Sequence, residues 1–409
     1  MKTSNEKAAV PPLTRRRFAI HSSLAIAAAL GRPDWLVAQP ASAPKPKRRA
    51  AIIGHTGHGD YGHSLDVALS GLEGVEVVAV ADPDDAGRAK AAQRIPAPRQ
   101  YADYRQMLEK ERPQLVCLAP RWTDQRSAMA LAALRAGAHL FTEKPFTATL
   151  AEADEILATA GRAGLKIAVA HQMRLAPSIV RLKQSLDEGW IGELVQLRAW
   201  GKQDTRAGGE DMLVLGSHLF DLLRYLAGDA LWFSARVLQD GRDITRADAR
   251  IVKEQIGPVA GNEIHAQFAF AKGVNATFTS SARLRATLGP WGIELLGSKG
   301  AARILAEVFP TVYVLKAGGW DASGRKDEWT RWDGDPGAKL SAEERGFGPA
   351  NRRVVENWLA AIEQNREPAC SGRAAMKSIE MIMAVYHAAL SGARVTLPLK
   401  ERRHPLAAG

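Results

Sequence analysis

The chain has 409 residues, 46% of them hydrophobic and 24% charged, which fits two or three folded domains and excludes a disordered or fibrous chain. Its net charge is +11, of which residues 1–43 carry +4 (Lys2, Lys7, Arg15, Arg16, Arg17 and Arg32 against Glu6 and Asp34). No Lys/Arg stripe with interleaved aromatics accompanies that charge, so nucleic acid is not an expected partner, and two cysteines, Cys117 and Cys370, exclude a disulfide framework or a zinc spacing.

Thr14-Arg15-Arg16-Arg17-Phe18 precedes the apolar run Leu24 to Leu30. A basic region before a short apolar stretch is the layout of a secretory signal, and the arginine pair near a phenylalanine fits the twin-arginine type. The run is too short to span a bilayer stably. An uncleaved helix lying on the membrane surface is the alternative. Cleavage after Ala43 or after Ala38 is compatible with the small residues there, and Pro40 to Arg49 reads as a flexible arm. The expectation is a leader over 1–43 and a periplasmic protein, exported already folded with its cofactor and not stably inserted in a membrane. Residues 44–171 and 172–409 are the two expected domains.

Ala50 to Ile53 predicts a strand, followed at once by the turn Gly54-His55-Thr56-Gly57-His58-Gly59-Asp60-Tyr61-Gly62. Leu65, Val67, Ala68, Leu69 and Leu72 then predict a helix. Gly57-x-Gly59-x-x-Gly62 matches the dinucleotide fingerprint, in which glycines let the backbone approach a pyrophosphate at a helix N-terminus. Gly54 is an equally admissible first glycine, so the register stays open. The strand Val75 to Ala81 ends in Asp82, 20 residues past Gly62, where a carboxylate would bond ribose hydroxyls and repel a 2′-phosphate. That favours NAD over NADP.

Strands and helices continue to alternate: helices over Asp84–Arg94, Tyr104–Glu111, Thr123–Ala136 and Leu150–Ala163, and strands over Gln114–Ala119, Ala138–Thr142 and Lys166–Ala170. The pattern predicts a doubly wound parallel sheet of Rossmann type, with ligands at the strand C-terminal ends. Glu143-Lys144-Pro145 follows a strand directly and puts Lys144 at that edge, where an amine of lowered pKa can move a proton or polarise a carbonyl. His171 and Arg174 follow the next strand at the same edge. They are candidates for bonding substrate hydroxyls or a carboxylate; an arginine paired at a domain interface is the alternative for Arg174.

Glu143-Lys144-Pro145 after such a half resembles the signature of the glucose–fructose oxidoreductase, inositol dehydrogenase and rhizopine-catabolism (Gfo/Idh/MocA) family. Gly189 to Leu194, Gly216-Ser217-His218-Leu219-Phe220-Asp221, Gly297 to Gly300 and Leu397-Pro398-Leu399 are similar to the same family, in the same order. The resemblance implies a C-terminal α+β domain with an open, mainly antiparallel sheet, one face of which makes a homo-oligomer. Strands over Leu194–Trp200, Leu231–Leu238, Glu263–Phe270, Val274–Ser280, Trp291–Leu296 and Thr311–Leu315 agree with it. So do helices over Met212–Leu226, Arg352–Ile362 and Ala374–Leu390. The loop Gly318–Gly346 is polar and reads as a surface excursion or lid.

The resemblance also implies a site. Gly54, Gly57, Gly59, Asp82, Pro120, Glu143 and Lys144 would contact NAD, no metal is required, and Lys144 and His218 would be catalytic. The family's usual acid four residues before the histidine is absent, because Val214 stands there. Asp211, two helical turns before His218, is the substitute candidate, with Glu210 beside it. Arg126 departs in the same way from a frequent histidine. The expected activity is NAD-dependent oxidation or reduction of a sugar, polyol or related small hydroxy compound. A redox-neutral hydride cycle (glycoside hydrolysis, epimerisation or dehydration) is the second possibility, and a binding protein that has lost catalysis is the third. Trp122 and Trp200 are candidates for stacking on a sugar, against the simpler expectation of core packing.

Overall fold

The computed structural model describes residues 46–284, 290–315 and 329–407. The signal read at Arg15–Phe18 lies outside the described residues.

Six short strands form the first sheet: β1 (Arg48–Ile53), β2 (Val75–Ala81), β3 (Arg99–Tyr101), β4 (Leu115–Leu118), β5 (His139–Thr142) and β6 (Ile167–Val169). All neighbours are parallel, in the order β3-β2-β1-β4-β5-β6. Every residue of β4 and β6 is buried, as layers on both faces require. The crossovers carry α1 (Asp85–Arg94), α2 (Tyr104–Glu111), α3 (Arg126–Arg135) and α4 (Leu150–Arg162). Their starts are set by side chains: Asp84 accepts from the Gly87 N–H, and Thr149 forms a capping box with Glu152. The strand order reverses between β1 and β4, which opens a crevice beyond their carboxyl ends.

The helix expected after Gly62 does not form. Residues 61–71 are consecutive turns, because Gly62 (φ 61°) and Ser64 (φ 62°) both take left-handed backbone that no α-helix tolerates. Leu65, Ala68 and Leu69 are still buried, so the apolar spacing was satisfied by another route.

α5 (Pro177–Asp187) leads into the second sheet. Its strands lie in the order Trp329–Arg331, Thr311–Leu315, Ala301–Leu305, Gly292–Gly297, Leu194–Trp200, Asn275–Ser281, Glu263–Ala269, Trp232–Gln239 and Val395–Thr396. All pairings along this path are antiparallel except Leu194–Trp200 with Asn275–Ser281. One face buries Phe233, Phe268 and Phe278; Phe220 packs on Phe268 and Phe278 at ring separations of 5.9 and 5.1 Å, and Phe233 stacks on Phe268 at 4.6 Å. Ser234, Arg236, His265 and Gln267 alternate onto the opposite face and are exposed. The buried face is covered by α7 (Gly216–Ala227), which follows α6 (Gly209–Val214). The single helix expected over Met212–Leu226 is broken at Leu215, where Gly216 starts a new helix with its Cα close against Phe278. α5 escaped the sequence reading although Pro177 occupies its first turn, a favoured place for proline.

Two long helices close the chain, α8 (Phe347–Glu363) and α9 (Gly372–Ser391). α9 packs on the second sheet beside α7. α8 instead lies on the first sheet: Val354, Val355 and Trp358 share a buried cluster with Ala50, Ile52, Phe141 and Ala168. The Trp358 indole N–H donates to the Lys166 carbonyl. Part of the predicted loop 318–346 falls outside the described residues. The part from Trp329 onward is packed, with Trp332 and Asp335 buried.

Candidate active site

Lys144 leaves the carboxyl end of β5 and is buried. Among the described residues its Nζ donates to one group, the Val214 carbonyl at 2.8 Å. Burial pulls the ammonium pKa down; Glu143 and Glu254 oppose this, and the Arg206 and Arg121 guanidiniums reinforce it. Such an amine gives up its proton more readily than an exposed lysine.

His218, near the start of α7, is buried beside Lys144, and its Nδ1 has no hydrogen-bond partner among the described residues. Burial, then the charge of Lys144, pushes its pKa well below the usual histidine value, so the ring is neutral. His171, just after β6, faces it edge-on with ring centroids 5.6 Å apart. The structure therefore gathers Lys144, His218 and His171 from three elements at one place.

Two of the expected substrate contacts are occupied otherwise. Arg174 donates to both oxygens of Asp221 on α7, from Nε at 2.9 Å and Nη2 at 2.6 Å. It is the paired arginine of the alternative reading. Asp211 is fully buried, and its carboxylate accepts from the Lys202 and Gln203 N–H groups and from the Ser280 hydroxyl. It braces the turn at 201–203 and does not replace the acid missing at Val214. Asp221, Arg121, Arg206 and Glu254 surround the cluster and were not foreseen. Asp221 lies three residues after His218, on the same helical face, which was the available signal.

The glycine turn lies along the crevice. A Cβ on Gly54 would fall 2.2 Å from the Tyr61 ring, so this glycine makes room for the turn's own tyrosine. Gly59 (φ 85°) runs against the backbone of Arg121 and Trp122, and its carbonyl accepts from the Arg121 N–H at 3.0 Å. Gly57 (φ 77°) faces open space. Trp122 packs edge-on to His58, and the Trp200 indole N–H donates to the Pro290 carbonyl.

Asp82 stands at the end of β2 and lines a cavity of about 200 Å³ with Gly54, His55, Pro83, Tyr104 and Arg105. Typical ligand pockets are about 300–1,000 Å³, so this cavity accounts for one end of a dinucleotide. The His55 Nδ1 on its wall is buried and unpartnered, a group that a ribose or purine would satisfy. On that observation the residues fit the adenosine half of NAD. The Asp82 carboxylate already accepts from the Thr56 N–H at 3.1 Å, the Thr56 hydroxyl at 2.7 Å and the Asp84 N–H at 3.0 Å. Ribose hydroxyls would compete with Thr56. Thr56→Val removes one competitor and is expected to tighten NAD binding by about tenfold to a hundredfold, one hydrogen bond to a charged group, as read by isothermal titration. An unchanged affinity would dissociate Asp82 from the ribose.

Arg126, the first residue of α3, ties the rim together. Its buried guanidinium donates to the carbonyls of Pro120, Arg121, Trp122 and Glu143 and to the Thr142 hydroxyl. Pro120 is thus fixed through its carbonyl. Burial lowers the Arg126 pKa to about 10, which leaves it charged.

Glu143 accepts from the His63 N–H and Nδ1, both at 2.7 Å, and from the Lys144 N–H at 3.0 Å. Burial disfavours its charge, but the His63 hydrogen bonds and the Lys144 ammonium prevail and bring its pKa down to about 2. A carboxyl with a folded pKa below its unfolded 4.5 stabilises the fold above pH 4.5 and loses that contribution as pH falls toward 2. Glu143→Gln is expected to flatten the loss of stability over that window, measured by urea denaturation at stepped pH.

Comparison with known proteins agrees with this geometry. Residues 48–171 match the family model described as "Oxidoreductase family, NAD-binding Rossmann fold", and residues 187–397 match its "C-terminal alpha/beta domain". The D-apiose dehydrogenase of Paraburkholderia graminis is 25% identical over 348 residues, covering 82% of this chain and 86% of that protein. The myo-inositol 2-dehydrogenase of Thermotoga maritima is 26% identical, covering 64% of this chain and 77% of its own. Among solved structures, a levoglucosan dehydrogenase in complex with NADH and L-sorbose superposes with a TM-score of 0.69 at 19% identity, covering 86% of this chain and 99% of that one.

Proposed function

The chain belongs to the Gfo/Idh/MocA oxidoreductase family, whose N-terminal half is an NAD-binding Rossmann fold, and from that premise we propose that it oxidises a hydroxyl-bearing carbon of a sugar or polyol. The observation that carries the reading is the buried cluster of Lys144, His218 and His171 at the carboxyl edge of the parallel sheet. The dehydrogenases similar to this chain are named for apiose, myo-inositol and levoglucosan.

Gly54, His55 and Asp82 would hold the adenosine end of NAD, and the rim at Pro120 and Lys144 would flank its other end. Bound NAD supplies the hydride acceptor. The chain's own residues manage the proton: Lys144 holds the substrate oxygen, and an imidazole beside it takes up the hydroxyl proton. Burial excludes water from the cluster and strengthens each of these polar contacts.

The test has two parts. Mass spectrometry of the purified protein is expected to find NAD or NADH. Absorbance at the NADH band is expected to rise with NAD plus one of D-apiose, levoglucosan or myo-inositol. An empty protein that neither binds NAD nor turns over any polyol would refute the reading.

Two further properties belong to the same proposal. The leader directs twin-arginine export to the periplasm, supported by Arg15-Arg16 before the apolar run. A reporter fused to residues 1–45 should lose export when Arg15 and Arg16 become lysine. The exposed face of the second sheet, with Ser234, Arg236, His265 and Gln267, joins copies into a homo-oligomer. Light scattering should give a multiple of the monomer mass, which is 44.2 kDa for the chain with its leader.

A further inference from the structure

We propose that Asp221 and His171 form the dyad that receives the substrate's hydroxyl proton, in place of the acid missing at Val214. The inference rests on the dehydrogenase reading of the same cluster and assigns a role within it.

Asp221 is buried on α7 and held ionised. Burial opposes its charge, but the Arg174 guanidinium and His171 outweigh that and keep the carboxyl far below its ordinary range. Arg174 grips both carboxylate oxygens, which fixes the orientation of the group. The remaining near neighbour of Oδ1 is the His171 Nδ1 at 3.5 Å. That is the long end of a hydrogen bond, and such contacts commonly tighten when substrate binds.

The other ring nitrogen of His171, Nε2, is buried and has no partner among the described residues. A carboxylate at Nδ1 favours the tautomer with its proton there, which leaves Nε2 with a lone pair pointing away from Asp221. This is the division of labour of a carboxylate–histidine pair in hydrolases: one nitrogen is oriented and the other accepts. His218 lacks the arrangement, since its Nδ1 has no partner and the charge of Lys144 opposes its protonation. Of the two imidazoles, His171 has the fixed counter-charge that an imidazolium needs. Its other charged or titratable neighbours are Arg174, His218 and Cys370, whose thiol donates to the His171 carbonyl at 3.4 Å.

The step balances with NAD as oxidant. The substrate O–H bond breaks and its proton bonds to His171 Nε2. The electron pair left on oxygen becomes the second bond of the carbonyl as the hydrogen on the adjacent carbon leaves with its bonding pair, a hydride that NAD would accept. Asp221 compensates the imidazolium until product leaves and the opened site lets the proton pass to solvent.

Two independent measurements test the dyad. Nitrogen-15 NMR of histidine-labelled protein, with His171 assigned by the loss of its signals in His171→Gln, is expected to show the Nδ1–H tautomer. A resting Nε2–H tautomer overturns the proposal. In the second, on whichever of D-apiose, levoglucosan or myo-inositol the native enzyme oxidises, His171→Gln should lower kcat by at least about 100-fold. NADH binding, read by fluorescence, should stay within threefold of native. His171→Gln with more than a third of native kcat also overturns the proposal. The tautomer is read without substrate, so failure of every sugar would count against the dehydrogenase reading and leave the dyad to be decided by NMR.

Discussion

Lys144→Met is expected to lower kcat/KM for the polyol by about 1,000-fold, within the range of positioned acid–base groups, without weakening the fold. The two consequences share one cause. Among the described residues, the buried ammonium has a single carbonyl, from Val214, as its partner. Keeping a charge there costs desolvation that one neutral acceptor does not recover, and methionine fills similar volume without that cost. The pH dependence follows from the same shift. The folded pKa lies below the unfolded 10.5, so between the two values the unfolded chain binds more protons and stability rises with pH. The contribution is complete above 10.5 and is lost as pH falls through the folded value. Urea denaturation of Lys144→Met should therefore give equal or greater stability at pH 7 and a flatter profile on the alkaline side. Turnover within tenfold of native would remove Lys144 from the mechanism.

Arg126→Ala is expected to cost about 3 kcal/mol of stability, because each buried carbonyl left without a partner costs about 1–3 kcal/mol and the lost desolvation of the guanidinium offsets part of the sum. Its guanidinium serves four carbonyls and a hydroxyl, and among the described residues no other side chain reaches the carbonyls of Pro120, Arg121 and Trp122. Without it those groups are buried and unpaired, and the rim between β4 and α3 loses its anchor. NAD binding should weaken together with stability, because Pro120 and the Glu143 backbone move with that rim. Arg126→Lys should recover only part, since an ammonium lacks the planar fork that bonds several carbonyls at once. Denaturation midpoints and NAD titration on the two variants check both statements. A destabilisation under 1 kcal/mol would show that water replaces the guanidinium.

Most of the parallel sheet was legible because strands ran into turn signals and crossover helices opened on capping residues, as Asp84 and Thr149 show; the three-residue edge strand β3 was too short to leave such a pattern. The second sheet was legible from alternation, with Phe233 and Phe268 inward and Ser234 and Gln267 outward. What failed depended on backbone that composition does not reveal. Ser64 has no reason in its side chain to take positive φ, so the helix drawn through it was the natural reading. In the site, Lys144, His218 and His171 could be found because each follows an element end or a local pattern. For Asp211 the pattern did not show that the Lys202 and Gln203 N–H groups and the distant Ser280 hydroxyl all donate to its carboxylate. Asp221 was overlooked for the converse reason: its importance comes from Arg174, 47 residues earlier.

The seat of α8 on the first sheet has a kinetic consequence. β6 ends at Val169, yet Trp358, which shields the sheet beyond it, is made much later. At about 5–20 residues per second, that gap is roughly 10–40 s during which a nascent nucleotide-binding half exposes an apolar flank on the ribosome. The N-terminal half should therefore be a poor candidate for separate expression, and a chain truncated before residue 347 should depend on chaperones or aggregate.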